Sequence, residues 1–160
     1  MVNYPDLTLI QKEYLSPYEK SPNTFLKVEF KNNQKDSSYL KAEQVNWKEI
    51  NDLFAKANLY QKQLDKQYLI TVISDTLSPT MTLLYSSLNP QNYIRKLSIN
   101  AESTDNKILS IYWETQDEGF YSSEEKKILY VVGKTLQIQQ FNKKVLASGK
   151  KKIIQYVFLN

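Results

Sequence analysis

The sequence predicts an α+β protein dominated by β structure: an antiparallel meander of about seven or eight strands, curved or half-barrel, with one amphipathic helix over about 47–57 packed on it. Three observations carry this reading. From Tyr68 onward, short segments rich in β-branched and aromatic residues alternate with short polar turns. Trp47, Ile50, Leu53, Phe54 and Ala57 fall on a single stripe at helical spacing. A 41% apolar content in 160 residues is enough for a real core. The whole chain, 1–160, reads as one domain, with 1–23 as an irregular N-terminal segment.

That first segment is punctuated by Pro5, Pro17 and Pro22. Leu7, Ile10 and Tyr14 have helical spacing, whereas Leu7 and Leu9 alternate, so residues 5–15 fit a short helix or a strand. Thr24 to Phe30 alternates and reads as a strand, and Asn32 to Ser38 reads as a polar loop. The helix follows. Asn46 is a good N-cap, and Glu49 three residues later completes a capping box. Asn58 is placed to end the helix in the left-handed region.

Strands then follow over 68–74, 80–86, 93–101, 107–115, 126–132, 135–141 and 153–159. In the 93–101/107–115 hairpin, pairing Ala101 with Lys107 sets Ile99 opposite Leu109, Leu97 opposite Ile111 and Arg95 opposite Trp113. The predicted core stripe is therefore Leu97, Ile99, Leu109, Ile111 and Trp113. In the next hairpin, Gly133 takes the first central position of a two-residue type II′ turn. Val131 then faces Leu136, Leu129 faces Ile138 and Tyr130 meets Gln137.

Composition excludes several chemistries. The chain has no Cys and no His, which removes thiol nucleophiles, disulfides, imidazole acid–base catalysis, Ser-His-Asp triads and Cys- or His-ligated zinc. Three Gly residues, far apart, cannot build a Rossmann or phosphate-loop fingerprint. Net charge is +4, and Arg95 is the sole arginine, so base-reading nucleic-acid recognition is not expected. No apolar stretch approaches the about 20 residues of a membrane-spanning helix, and Met1–Asp6 lacks the basic and apolar regions of a secretory leader. No cofactor and no metal site is expected.

Candidate sites are few. Asp117-Glu118 and Glu124-Glu125 are paired acids in a predicted loop, better read as solvated charges than as a glycosidase pair. Tyr112, Trp113 and Tyr121 lie near one end of the sheet with Arg95, which is placed to stack on Trp113. Trp113 also continues the core stripe, and Tyr112 is on the wetter face. Lys143, Lys144, Lys150, Lys151 and Lys152 flank a turn at Ser148-Gly149. They fit either a solvated, guarded tip or contact with an anionic membrane periphery.

The tracts Asn92-Tyr93-Ile94-Arg95-Lys96-Leu97-Ser98-Ile99, Asn106 to Thr115 and Leu136-Gln137-Ile138-Gln139-Gln140-Phe141 resemble small uncharacterised envelope proteins of the Bacteroidetes, which typically follow a lipoprotein signal. The resemblance covers roughly the C-terminal half. It implies periplasmic or outer-membrane-associated residence and supplies no catalytic residues. The chain has no lipid-acceptor Cys, and cytoplasmic residence fits the composition equally. The expected function is a non-enzymatic envelope domain that binds a small apolar ligand or a partner protein. The alternatives are a structural or assembly subunit docking through its sheet edge or Tyr-rich face and, more remotely, a carboxylate-based hydrolase.

Overall fold

The computed structural model describes residues 4–60 and 66–159. Two helices come first, α1 (Leu7–Tyr14) and α2 (Ser16–Glu19), followed by the hairpin β1 (Thr24–Lys31) and β2 (Gln34–Lys41). A short helical turn (Ala42–Gln44) leads into α3 (Trp47–Lys56). The remainder is β3 (Tyr68–Asp75), β4 (Thr80–Ser87), β5 (Ile94–Glu102), β6 (Ile108–Glu118), β7 (Ser122–Val131), β8 (Thr135–Lys144) and β9 (Lys150–Leu159). All nine strands form one antiparallel sheet in the order β2-β1-β9-β8-β7-β6-β5-β4-β3, open and not closed into a barrel. Strands β3 to β9 are the predicted meander. The β1–β2 hairpin extends it beyond β9, and the connection through α3 returns the chain from one edge of the sheet to the other.

The N-terminal segment is helical, not irregular. Asp6 caps α1 by accepting from the Thr8 and Leu9 amides at 3.0 and 3.4 Å, which satisfies donors that have no intrahelical partner. Leu7 and Leu15 are fully buried while Leu9 is exposed, so the helical spacing prevails over the alternation. In α3, Asn46 accepts from the Glu49 amide at 3.3 Å and donates to the Glu49 carboxylate at 3.1 Å. The predicted stripe is buried at Ile50, Leu53 and Phe54. The helix ends differently from expectation. Ala57 is the C-cap in right-handed conformation, and Asn58 does not adopt positive φ. Buried Asn58 instead accepts from the Leu7 amide at 3.2 Å and donates to Asp6 at 2.9 Å, joining the end of α3 to the start of α1.

Nine strands replace the expected seven or eight because residues 34–41, mostly assigned to a polar loop, form β2. The turn before it sits at Asn32 and Asn33, with φ of 51° and 61°. Asn is among the few residues that tolerate this region, and two in succession make the tight hairpin turn matching strand twist.

Both predicted registers are corrected. In β5–β6, Leu97 pairs with Trp113 and Ile99 with Ile111, a shift of two residues from expectation. One residue of the shift arises at the hairpin end, where Ala101 pairs with Ile108 and not Lys107, and the second at a bulge that leaves Leu109 extra; a further irregularity at Arg95 takes one residue back at the far end. Such bulges cannot be read from alternation. Ile108 rather than Leu109 consequently packs on the core, while the other four residues of the predicted stripe are buried. In β7–β8, Ile128 pairs with Ile138, Leu129 with Gln137 and Tyr130 with Leu136. This is a one-residue slip that puts Leu129 and Ile138 on opposite faces. Gly133 is the third residue of a turn closed by Lys134 N–H to the Val131 carbonyl at 3.0 Å. Its φ is 68°, as a type II turn requires at that position.

The helices cover one face of the sheet. Across that face Ile154, Ile138, Ile128, Trp113, Leu97 and Tyr85 line up in register, as do Tyr156, Leu136, Tyr130, Ile111, Ile99 and Leu83. Phe54 of α3 packs edge-on against Trp113 at 4.8 Å and Tyr130 at 6.1 Å, and Phe25 against Phe158 at 5.0 Å. Side chains thus occupy the space between helix and sheet. The opposite face carries no helix. Its central row is Val28, Gln155, Gln137, Leu129, Tyr112 and Ser98, a mixed polar and apolar surface.

Candidate interaction surfaces

The four aromatic and cationic side chains singled out in sequence are dispersed. Trp113 is fully buried in the core. Arg95 is the unpaired residue of the β5 bulge, half-buried, and makes no ring contact with Trp113; the cation–ring contact among the described residues is Lys35 over Phe30. The register shift that begins at the hairpin end and Leu109 sets Trp113 opposite Leu97, so Arg95 is not its cross-strand partner. The Arg95 Nε and Trp113 Nε1 groups are buried without hydrogen-bond partners. Arg95 lies near Tyr68, whose hydroxyl donates to the Ile94 carbonyl at 2.8 Å. Burial and the neighbouring Tyr4 push the Tyr68 phenol up to about 12, and the Arg95 charge partly opposes them. Tyr112 lies on the uncovered face, donating to the Glu114 carboxylate at 2.5 Å. Burial, that bond and the nearby Glu114 and Glu125 charges raise its pKa.

Tyr121 and the lysines do come together. Tyr121 is in the turn between β6 and β7, packed edge-on against Phe120 at 4.8 Å. In the register of β7 with β8, Ser122 faces Lys144 and Ser123 faces Lys143. The loop between β8 and β9 is tied to the same turn by the Val145 amide, which donates to the Tyr121 carbonyl at 2.9 Å. Phe120, Tyr121, Val145, Lys143 and Lys144 surround one shallow depression of about 290 Å³. The loop tip is Val145-Leu146, not Ser148-Gly149. Its turn is closed by Ala147 N–H to the Lys144 carbonyl at 3.2 Å, with Leu146 at φ 65°. A Cβ on Gly149 would collide with the Phe141 ring, so glycine there lets the loop lie close to the sheet. Lys152 stands apart, paired with Glu29 at 3.1 Å; that pair, with Lys27 at 3.4 Å, holds the Glu29 carboxyl below its usual range.

The acids form no convergent site. Asp117 and Glu124 are cross-strand neighbours, but Glu124 is engaged by Lys126 at 3.1 Å and by the Gln140 amide at 2.7 Å. Glu125 pairs with Lys127 at 3.6 Å. Among the described residues no three Asp or Glu side chains gather as a metal would require. The largest depression described, about 420 Å³, is an open surface hollow near Phe30, Lys35, Lys151 and Ile153, at the sheet's outer face.

The two sheet edges differ, and the composition of single strands did not disclose which residues form them. Edge β2 reads Gln-Lys-Asp-Ser-Ser-Tyr-Leu-Lys, charged and polar, as edges guarded against pairing are. Edge β3 reads Tyr-Leu-Ile-Thr-Val-Ile-Ser-Asp, uncharged until its last residue. Leu69, Val72 and Ile73 are each more than half exposed there. No described helix is long and apolar enough to cross a membrane. No family model, curated protein or solved structure matches this chain.

Proposed function

We propose that the chain is a non-enzymatic assembly domain of the bacterial cell envelope that docks a second β chain along its β3 edge. The unguarded apolar edge carries this reading. A free strand edge offers a row of backbone donors and acceptors, and pairing with another strand satisfies them while neighbouring side chains supply specificity. The sequence of β3 is self-complementary about Thr71. Antiparallel pairing centred there sets Leu69 opposite Ile73 and Ile70 opposite Val72, so a second copy of the chain is a fitting partner. The envelope setting is supported by the likeness of the 92–99, 106–115 and 136–141 tracts to Bacteroidetes envelope proteins. A carrier of apolar ligands draws less support, because aromatic side chains occupy the helix–sheet interior.

Native mass spectrometry of protein purified from its own host tests this. A complex of two or more protein chains is expected, and it dissociates in the Val72→Lys/Ile73→Lys variant with no loss of thermal stability. A bare monomer would end the assembly reading, and a co-purifying lipid with no second chain would return the carrier.

A further inference from the structure

We propose that the end of the sheet formed by the β6–β7 turn and the β8–β9 loop is a docking tip for an anionic lipid surface. Phe120, Tyr121, Val145 and Leu146 are its apolar contacts, and Lys143, Lys144, Lys150 and Lys151 are its cationic rim. This is independent of the β3 edge.

Leu146 is the most informative residue. It occupies the third position of the Lys144–Ala147 turn at φ 65°, where Gly or Asn is favoured and a branched apolar side chain is strained. Its relative exposure is 103%, so the fold gains no burial from it. A strained backbone that presents an apolar side chain wholly to solvent serves something outside the fold. Phe120 shares the exposure, at 89%, without the left-handed backbone, and Tyr121 and Val145 are both mostly exposed. The hydrogen bond from Val145 to Tyr121 makes one patch of the two loops.

Charge selects the partner. Lys143, Lys144, Lys150 and Lys151 are exposed and make no ion pair among the described residues. The acids of β7, Glu124 and Glu125, are each paired within the strand. Asp117 and Glu118 are the remaining carboxylates at this end, fewer than the four lysines. Apolar side chains at loop tips, ringed by long cationic ones, match the layering of an anionic bilayer. The apolar groups enter the acyl boundary while the lysine heads stay at phosphate level. A groove for nucleic acid would instead place the cations along a track with rings facing into it.

Vesicle co-sedimentation of the full chain tests the proposal, using phosphatidylcholine alone and phosphatidylcholine mixed with phosphatidylglycerol. Binding is expected only to the anionic vesicles and should weaken as salt rises. Lys143→Gln/Lys144→Gln should reduce it by about thirtyfold. Leu146→Gly is the decisive variant. It should weaken vesicle binding while leaving the melting temperature equal or higher, since glycine relieves the φ strain. No binding to anionic vesicles at low salt would overturn the proposal. So would retention of wild-type binding by Leu146→Gly, or a fall in its melting temperature, which would make Leu146 a residue of the fold. Equal binding to soluble heparin and to vesicles would show a polyanion site instead. The Val72→Lys/Ile73→Lys variant should bind vesicles as wild type does, whatever becomes of its assembly.

Discussion

Tyr130, in the middle of the sheet, donates its hydroxyl to the backbone carbonyl of Tyr14 at 2.7 Å, and the Tyr130 hydroxyl oxygen accepts from the Gly133 amide at 3.4 Å. One side chain thereby fixes the end of α1 to the strand below it and to the β7–β8 turn. Tyr130→Phe keeps the ring packing and removes both bonds. It should cost about 1–2 kcal/mol in urea denaturation, because the Tyr14 carbonyl loses its donor in a partly buried place.

Gly133→Ala tests the turn itself. The added Cβ would lie 2.5 Å from the Tyr18 hydroxyl, at a backbone φ of 68°. The loss should be about 1–2 kcal/mol from the left-handed backbone alone. A change below a few tenths would show that the turn has another shape.

The Asn32–Asn33 turn offers the opposite sign. Asn33→Gly should be neutral or stabilising by up to about 1 kcal/mol, since glycine meets φ 61° without a Cβ penalty. Asn33→Ala should destabilise by roughly the same amount. Thermal melts of the two variants should bracket the wild type, with β2 amide exchange changing in parallel.

The buried phenols predict alkaline unfolding. Burial raises Tyr68 and Tyr156 from the ordinary 10.0 to about 12, and raises Tyr85 and Tyr130 as well. The unfolded chain releases these protons first, so their stabilisation is complete below pH 10 and is lost as pH rises through 12. Absorbance of tyrosinate and far-ultraviolet circular dichroism should change together in that window. Ionisation of all tyrosines near pH 10 with the sheet intact would contradict the burial described.

Much of the fold could be read from residue pattern, and the failures have physical causes. The Asn46/Glu49 box and the Ile50-Leu53-Phe54 stripe announce α3 locally, and the structure keeps both. The run Ile128-Leu129-Tyr130-Val131-Val132 has no alternation, so periodicity cannot say which residues face the helices. The tertiary bond of Tyr130 and the conformation of Gly133 decide it. Strand β2 is hidden because an outer edge strand needs no apolar face; the Asn32-Asn33 pair was its only local mark. At the tip, Phe120, Tyr121 and the lysines stand out by type, whereas Val145 and Leu146 are apolar residues in a loop, of no weight until the β7–β8 register and the Val145–Tyr121 bond bring the two loops together. Trp113 is in the core, as its place in the stripe indicates, while its stacking with Arg95 fails because the shift at the hairpin end and Leu109, invisible in composition, sets Trp113 opposite Leu97.

The pairing of β1 with β9, from Thr24 with Leu159 to Lys31 with Lys152, has a consequence for synthesis on the ribosome. The partner of β1 emerges almost a full chain length later. Until then Phe25 has no Phe158 to lie against, and β1 has β2 alone as a strand partner. The meander β3 to β8 can form as it emerges, with α1 and α3 on it, but the β1–β2 hairpin joins the sheet only through β9. The β1–β2 hairpin is therefore the last part of the sheet to be docked, and the side of Phe25 that meets Phe158 stays uncovered until β9 is made.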